Sequence, residues 1–272
     1  MDLIVAYWPL ALSLLCTGFI AGILAGLLGV GGGIVIVPVL FYVFTALDID
    51  DAVRMHLAVG TSLATIIPTS IRSLSAHTKR GAVDWPILKA WGPGLLIGTL
   101  LGTAVAGTVN AFILQAVFGF IALAVALNMA LGKPIERQQA RPPTGAKGLG
   151  VGMGIGVFSA MMGIGGGTLG VPIMSYLGMV AQRAVATAAG FGLIISVPGA
   201  IGFMLTGWGM ANLPLASLGY VNTLGFILIT PMTVLAAPLG VAAAHALPKQ
   251  RLKQAFAIFL GITAIRMLVD LI

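Results

Sequence analysis

The stretch from Leu27 to Leu40, LLGVGGGIVIVPVL, decides how this chain folds, because it returns almost unchanged from Met161 to Met174 as MMGIGGGTLGVPIM. In each copy a glycine run, Gly29-Val30-Gly31-Gly32-Gly33 or Gly163-Ile164-Gly165-Gly166-Gly167, interrupts a long apolar segment shortly before Pro38 or Pro172. Two such breaks, at the same point of a duplicated half, point to a membrane carrier whose backbone, more than its side chains, makes a ligand site.

Composition agrees. With 59% hydrophobic and 8% charged residues in 272, and a mean hydropathy of +1.09, the chain has too little polar surface to enclose a water-soluble core. Apolar runs long enough for the roughly 30 Å hydrocarbon core recur from Trp8 to Ile272. Continuous runs such as Phe112 to Leu131 lack the alternation of a β-barrel strand. The expected fold is therefore all-α, a polytopic membrane protein in a lipid bilayer. Asp2 is the only charge ahead of the first apolar run, so no cleavable signal is expected and the first helix is retained. A lone Cys16 makes neither an intramolecular disulfide nor a thiolate cluster.

The seven acids, Asp2, Asp48, Asp50, Asp51, Asp84, Glu136 and Asp270, all fall in loops or near the ends of apolar runs. Buried carboxylates are the usual carriers of proton relays and cation sites in membranes. Their absence from the apolar runs favours an anion pathway. The net charge of +7 agrees with that, although Lys and Arg also serve simply to orient the chain.

Residues 132–148 (GKPIERQQARPPTGAKG) form the only long polar stretch and divide the chain into a first transmembrane repeat, 1–131, a cytoplasmic linker, 132–148, and a second repeat, 149–272. Apolar segments read at 8–30, 34–47, 55–76, 87–109 and 112–131, then at 149–164, 168–181, 184–206, 213–246 and 252–271. Gly60-Thr61-Ser62 aligns with Ala186-Thr187-Ala188, Gly81 with Gly207, and Gln115-Ala116 with Gln254-Ala255. If the first two segments of each half form a hairpin, Lys79, Arg80, Lys89, Lys133, Arg137, Arg141, Lys147, Arg183, Lys249, Arg251 and Lys253 share one face, with Asp48, Asp50 and Asp51 on the other. The positive-inside rule then makes the first face cytoplasmic, puts both termini outside and inverts the halves relative to one another. Parity is the same whether each hairpin spans the membrane or re-enters.

At Gly31, Gly32 and Gly33, and at Gly165, Gly166 and Gly167, the chain can adopt positive φ, and a helix begins after each break. The first amides of a helix lack intrahelical acceptors. In lipid they need protein, water or a ligand, and their partial positive charge suits a small oxyanion. The competing reading is that these glycines only permit a sharp turn and close packing. Packing is the better reading for Gly18, Gly22 and Gly26, and for Gly152, Gly156 and Ala160.

Thr61, Thr65, Thr69 and Ser73 recur at four-residue spacing with Ser62 and Arg72 beside them, so one helix face could line an aqueous route. Alternatively, the hydroxyls bond their own backbone and Arg72 snorkels to the surface. Thr168 either caps its helix or touches ligand. Asn222 with Thr223 offers donors for ligand or for a neighbouring helix. Pro198 and Pro231 should kink or break their segments, and Trp8, Trp85, Trp91 and Trp208 fall where an interfacial aromatic belt is expected.

His56, His77 and His245 are too scattered for a metal site, and no cofactor is expected. Gly165-Gly166-Gly167-Thr168-Leu169-Gly170 matches a dinucleotide fingerprint only in letters, since no acid follows until Asp270. No Ser/His/Asp, HExxH or paired-carboxylate arrangement supports an enzyme. The expected partners are a small anionic substrate and lipid, not nucleic acid.

The duplicated GxGGG-xxxxP pattern, the Gly60-Thr61-Ser62 element and the inverted layout together resemble the TauE/SafE sulfite-exporter family over residues 14–270. That resemblance implies export of sulfur oxyanions or small organosulfonates, such as sulfite or sulfoacetate, across a bacterial plasma membrane. The alternative is import of the same or another small anionic metabolite by the same architecture.

Overall fold

The computed structural model describes residues 2–28, 31–131, 142–246 and 249–271. Gly29, Val30 and linker residues 132–141 lie outside the described residues, as do the side chains of Trp8, His245, Lys249, Arg251 and Lys253. The chain runs through α1 (Asp2–Leu28), α2 (Gly33–Ala46), α3 (Asp51–Thr78), α4 (Trp85–Thr108), α5 (Ala111–Leu131), α6 (Gly145–Met162), α7 (Gly167–Tyr176) and α8 (Ala181–Thr206). A short hairpin, β1 (Ser217–Leu218) with β2 (Val221–Asn222), precedes α9 (Thr223–Ala246) and α10 (Lys249–Val269).

Among the described residues six helices are long and apolar enough to cross a membrane: α3, α4, α5, α6, α8 and the Thr223–Ala243 part of α9. Their outward faces carry exposed Leu96, Leu100, Phe120, Ile201, Leu205 and Leu235. Such a surface is stable against hydrocarbon and not against water. The protein is a multi-pass helical membrane protein.

Packing repeats itself when the halves are exchanged. α1 lies along α9 and α4 along α6; α3 crosses α8, and α5 packs on α10; α2 rests on α3 and α7 on α8. The α1–α9 and α4–α6 contacts are glycine seams. A Cβ at Gly18 or Gly22 would come within 2.5 Å of the Ile229 or Thr233 carbonyl oxygen, and Gly26 abuts the Ala237 carbonyl. Gly152 and Gly156 meet the Trp91 and Leu95 carbonyls in the same way, while Gly94, Gly98 and Gly102 face the Leu149, Met153 and Val157 carbonyls. With no hydrophobic effect between helices in lipid, close backbone approach supplies the dispersion energy that holds them together.

Charged and polar contacts mark two ends. At one, Arg80 Nη1 donates to the Val241 carbonyl at 3.0 Å and Arg183 pairs with Asp84 at 3.3 Å. At the other, Asn212 Nδ2 donates to Asp50 at 2.6 Å, Arg54 pairs with Asp51, and Tyr42 Oη donates to Asp270 at 3.1 Å.

Three expectations need adjustment. The 213–246 segment is not one apolar helix, because the β hairpin occupies its start. Pro198 and Pro231 do not break α8 or α9, which run on through them. Trp85 and Trp208 are exposed as a belt requires, but Trp91 is fully buried, stacked on Phe191, with its indole N–H donating to the Pro143 carbonyl at 2.8 Å. Trp91→Phe should therefore lower stability by about 1–3 kcal/mol through a lost bond and a small void. A thermal melt in detergent measures this, and an unchanged midpoint would show that the indole contributes nothing.

Candidate site where the glycine breaks meet

The two glycine breaks come together. A Cβ added at Gly31 would stand 3.5 Å from the Gly165 Cα and 3.0 Å from Ile66 Cγ2, and one at Gly33 would strike the Gly163 carbonyl oxygen. Ile66 lies near the middle of α3, and Phe191 and Ile195, which pack on Gly166, lie near the middle of α8. The breaks therefore meet halfway along the two central helices.

Local backbone explains why glycine is needed there. Gly31 (φ 74°), Gly32 (φ 80°) and Gly166 (φ 74°) are left-handed, and the last two are the N-caps of α2 and α7. L-residues with a Cβ are disfavoured in that region. In α2 the first intrahelical bonds are donated by Val35 and Ile36 to the Gly32 carbonyl, at 3.0 and 3.2 Å; in α7 Gly170 donates to Gly166 at 2.7 Å. The amides of Gly33 and Ile34, and of Gly167, Thr168 and Leu169, stand ahead of those bonds without an acceptor in their own helix.

The expected hydroxyls divide into two groups. Thr61 Oγ1 accepts the Asn222 backbone N–H at 2.8 Å, Ser62 Oγ donates to the Gly163 carbonyl at 2.8 Å, and Thr65 Oγ1 donates to the Ser62 carbonyl at 2.7 Å. Ser62 thus ties α3 of the first half directly to the break of the second. Thr69 donates to the Thr65 carbonyl at 2.8 Å and lies 2.7 Å from Thr233 Oγ1. Thr168, in contrast, is 3% exposed, makes no cap bond and has no partner for its hydroxyl. Arg72 is exposed, away from these buried groups.

Asn222 serves α9 as Asp84 serves α4. Asn222 Oδ1 accepts from Gly225 N–H at 2.9 Å and Asp84 Oδ1 from Ile87 N–H at 3.2 Å. The Asp84 N–H donates to Thr187 Oγ1 at 2.9 Å, as the Asn222 N–H donates to Thr61. Thr61 and Thr187, paired in the register of the sequence alignment, thus each accept the backbone N–H of a helix-capping residue.

That register exposes a pair not expected from sequence. Nine residues beyond each threonine stand Ser70 and Ser196, 1% and 0% exposed, and neither hydroxyl has a partner. A Cβ at Gly192 would collide with Ser70 Oγ and lie 3.4 Å from the Gly165 carbonyl oxygen. Extending the threonine alignment by nine residues would have found them.

Among the described residues the buried polar groups are hydroxyls, amides and imidazoles, with no carboxylate, ammonium or guanidinium. His56 is held in packing: Nε2 lies 3.0 and 3.2 Å from the Ala106 and Val109 carbonyls, and its ring stacks on Tyr220 at 4.8 Å. The site can therefore offer an anion neutral donors from two directions. Such donors bind oxyanions by direct hydrogen bonds and oriented dipoles.

Known membrane transporters are similar to this chain over most of its length. The family model for the sulfite exporter TauE/SafE matches residues 14–267. A probable membrane transporter protein of Haemophilus influenzae is 33% identical over 256 residues, covering 93% of this chain and 97% of the relative. Another, of Methanocaldococcus jannaschii, is 31% identical with 83% and 81% covered, and the probable membrane transporter protein YunE of Bacillus subtilis is 30% identical with 71% and 78% covered. No solved structure matches.

Proposed function

The chain belongs to the sulfite exporter TauE/SafE family and is a membrane transporter, not an enzyme; from that premise we propose that it is a secondary carrier exporting small sulfur-containing oxyanions. Sulfite and organosulfonates such as sulfoacetate are the substrates of this reading. The supporting observation is the approach of Gly31 to Gly165, which brings together two helix N-termini whose first amides have no acceptor in their own helix. A three-oxygen head accepts from several such donors at once.

In this reading Gly31, Gly32, Gly33, Gly165, Gly166, Gly167 and Thr168 hold the anion, with Ser62, Thr65 and Thr61 supporting the break and Arg72 outside it. Packing that repeats on exchange of halves supports inverted repeats, 1–131 and 149–272, working by alternating access. In this reading the end carrying Arg80, Lys89 and Arg183 is cytoplasmic by the positive-inside rule, and the opposite end, where Tyr42 bonds Asp270 near Asp48 and Asp50, faces outside together with both termini.

Reconstituted vesicles test this. Counterflow of labelled sulfite or sulfoacetate should exceed that in protein-free vesicles, with sulfate, thiosulfate and taurine as comparisons at several pH values. Rates equal to the protein-free leak for every sulfur anion would sink the reading.

A further inference from the structure

We propose that Ser70 and Ser196 are substrate ligands, one hydroxyl from each half, that grip oxygens of the anion held at the glycine breaks; this rests on the carrier reading above. A buried hydroxyl without a partner is destabilising, so a matched pair demands a reason. Thr69, Thr99 and Thr103 avoid the penalty by donating to the carbonyl four residues earlier, whereas Ser73, Ser159, Thr168 and Thr230 do not, and among these hydroxyls only Ser70 and Ser196 stand at matching places in the two halves. Ser70 and Ser196 make no such bond.

Their placement fits a shared ligand. Thr61 and Thr187, matched by equivalent backbone contacts, set the register in which Ser70 and Ser196 correspond. Ser70 Oγ lies against Gly192, whose own neighbour is the Gly165 carbonyl of the second break. Ser196 is one helical turn beyond Gly192 and follows Ile195, which packs on Gly166. Ser70 thus stands beside the second break, and Ser196 lies one turn further along α8 from the glycine that Ser70 touches. The ligand class is an anion with several acceptor oxygens, because amides and hydroxyls from different helices offer donors from separate directions and a multi-oxygen head has an acceptor for each. A sulfite ion or a sulfonate head meets that requirement.

Ser70→Ala, Ser196→Ala and the double variant, in the purified full chain, distinguish ligand from packing. Calorimetric affinity for sulfite and for sulfoacetate is measured beside the thermal midpoint without ligand. Each single variant should bind about tenfold more weakly and the double about a hundredfold, while melting at or above the wild-type temperature because an unpartnered polar atom has gone. Wild-type affinity in the double variant would overturn the assignment and leave the carrier reading standing. Weaker binding with a parallel fall in midpoint would make the serines structural and overturn it too. A wild-type protein that binds neither anion takes down both.

Discussion

Alanine at Gly32 should destabilise the protein by about 2–5 kcal/mol, and alanine at Gly166 by only about 1–2 kcal/mol, although the two glycines cap equivalent helices. Both are left-handed, at φ 80° and 74°, so each substitution carries the backbone penalty. What differs is the neighbour. A Cβ at Gly32 meets the Ala21 carbonyl oxygen at 2.8 Å, which is helix backbone and cannot move aside alone. At Gly166 the contact is Ile195 Cδ1 at 2.5 Å, the tip of a flexible side chain. Melting curves of both variants in detergent, beside sulfite binding, check the order, with binding lost in both. Equal midpoints would mean that helix α1 yields as easily as an isoleucine rotamer.

Valine at Gly156 should be more damaging still, at about 3 kcal/mol or more, while valine two residues earlier at Gly154 should stay within about 0.5 kcal/mol. The glycines of α6 lie on two faces. Gly150 and Gly154 have nothing within 4 Å, whereas a Cβ at Gly156 would meet the Leu95 carbonyl oxygen, Thr99 N at 2.9 Å and Gly98 C at 3.1 Å. Side chains on the first face project away from α4; on the second they must part the helices. Trp91 reports the parting directly, since its ring lies 3.1 Å from the position of a Gly148 Cβ in the same seam. A red-shifted tryptophan emission with a lowered midpoint is expected for Gly156→Val and not for Gly154→Val. Identical behaviour of the two would remove the seam as the cause.

Much of this architecture is legible in the residues, for physical reasons that can be named. Helix α2 begins at Gly33 and α5 at Ala111, within a residue of the apolar runs read from sequence, because glycine and polar punctuation set those boundaries. The glycine breaks were legible because few other residues accept φ near +80°. The hairpin before α9 was hidden, since Leu215, Leu218, Tyr220 and Val221 continue the apolar composition without a break. Trp91 was misplaced because an indole near a helix start is equally suited to the interface and to a carbonyl partner, and only the fold brings Pro143 to it. Ser70 and Ser196 look like any membrane-helix serine. Their lack of a partner is a tertiary property.

The two ends of the α3–α8 pair are sealed with unlike materials. Around Asp84 the polar contacts are one N–H hydrogen bond to Thr187 and an ion pair whose arginine is 57% exposed. Around Asn222 there is buried Tyr220 stacked on His56, its carbonyl pressed on Gly60, and the Asn222 amide on Thr61. Wetting the first strips away little, because a solvated ion pair is worth at most about 1 kcal/mol; wetting the second uncovers a ring and desolvated backbone. Ionic strength, which screens only solvated charge, therefore acts on the Arg183–Asp84 pair and leaves the Tyr220–His56 stack itself untouched.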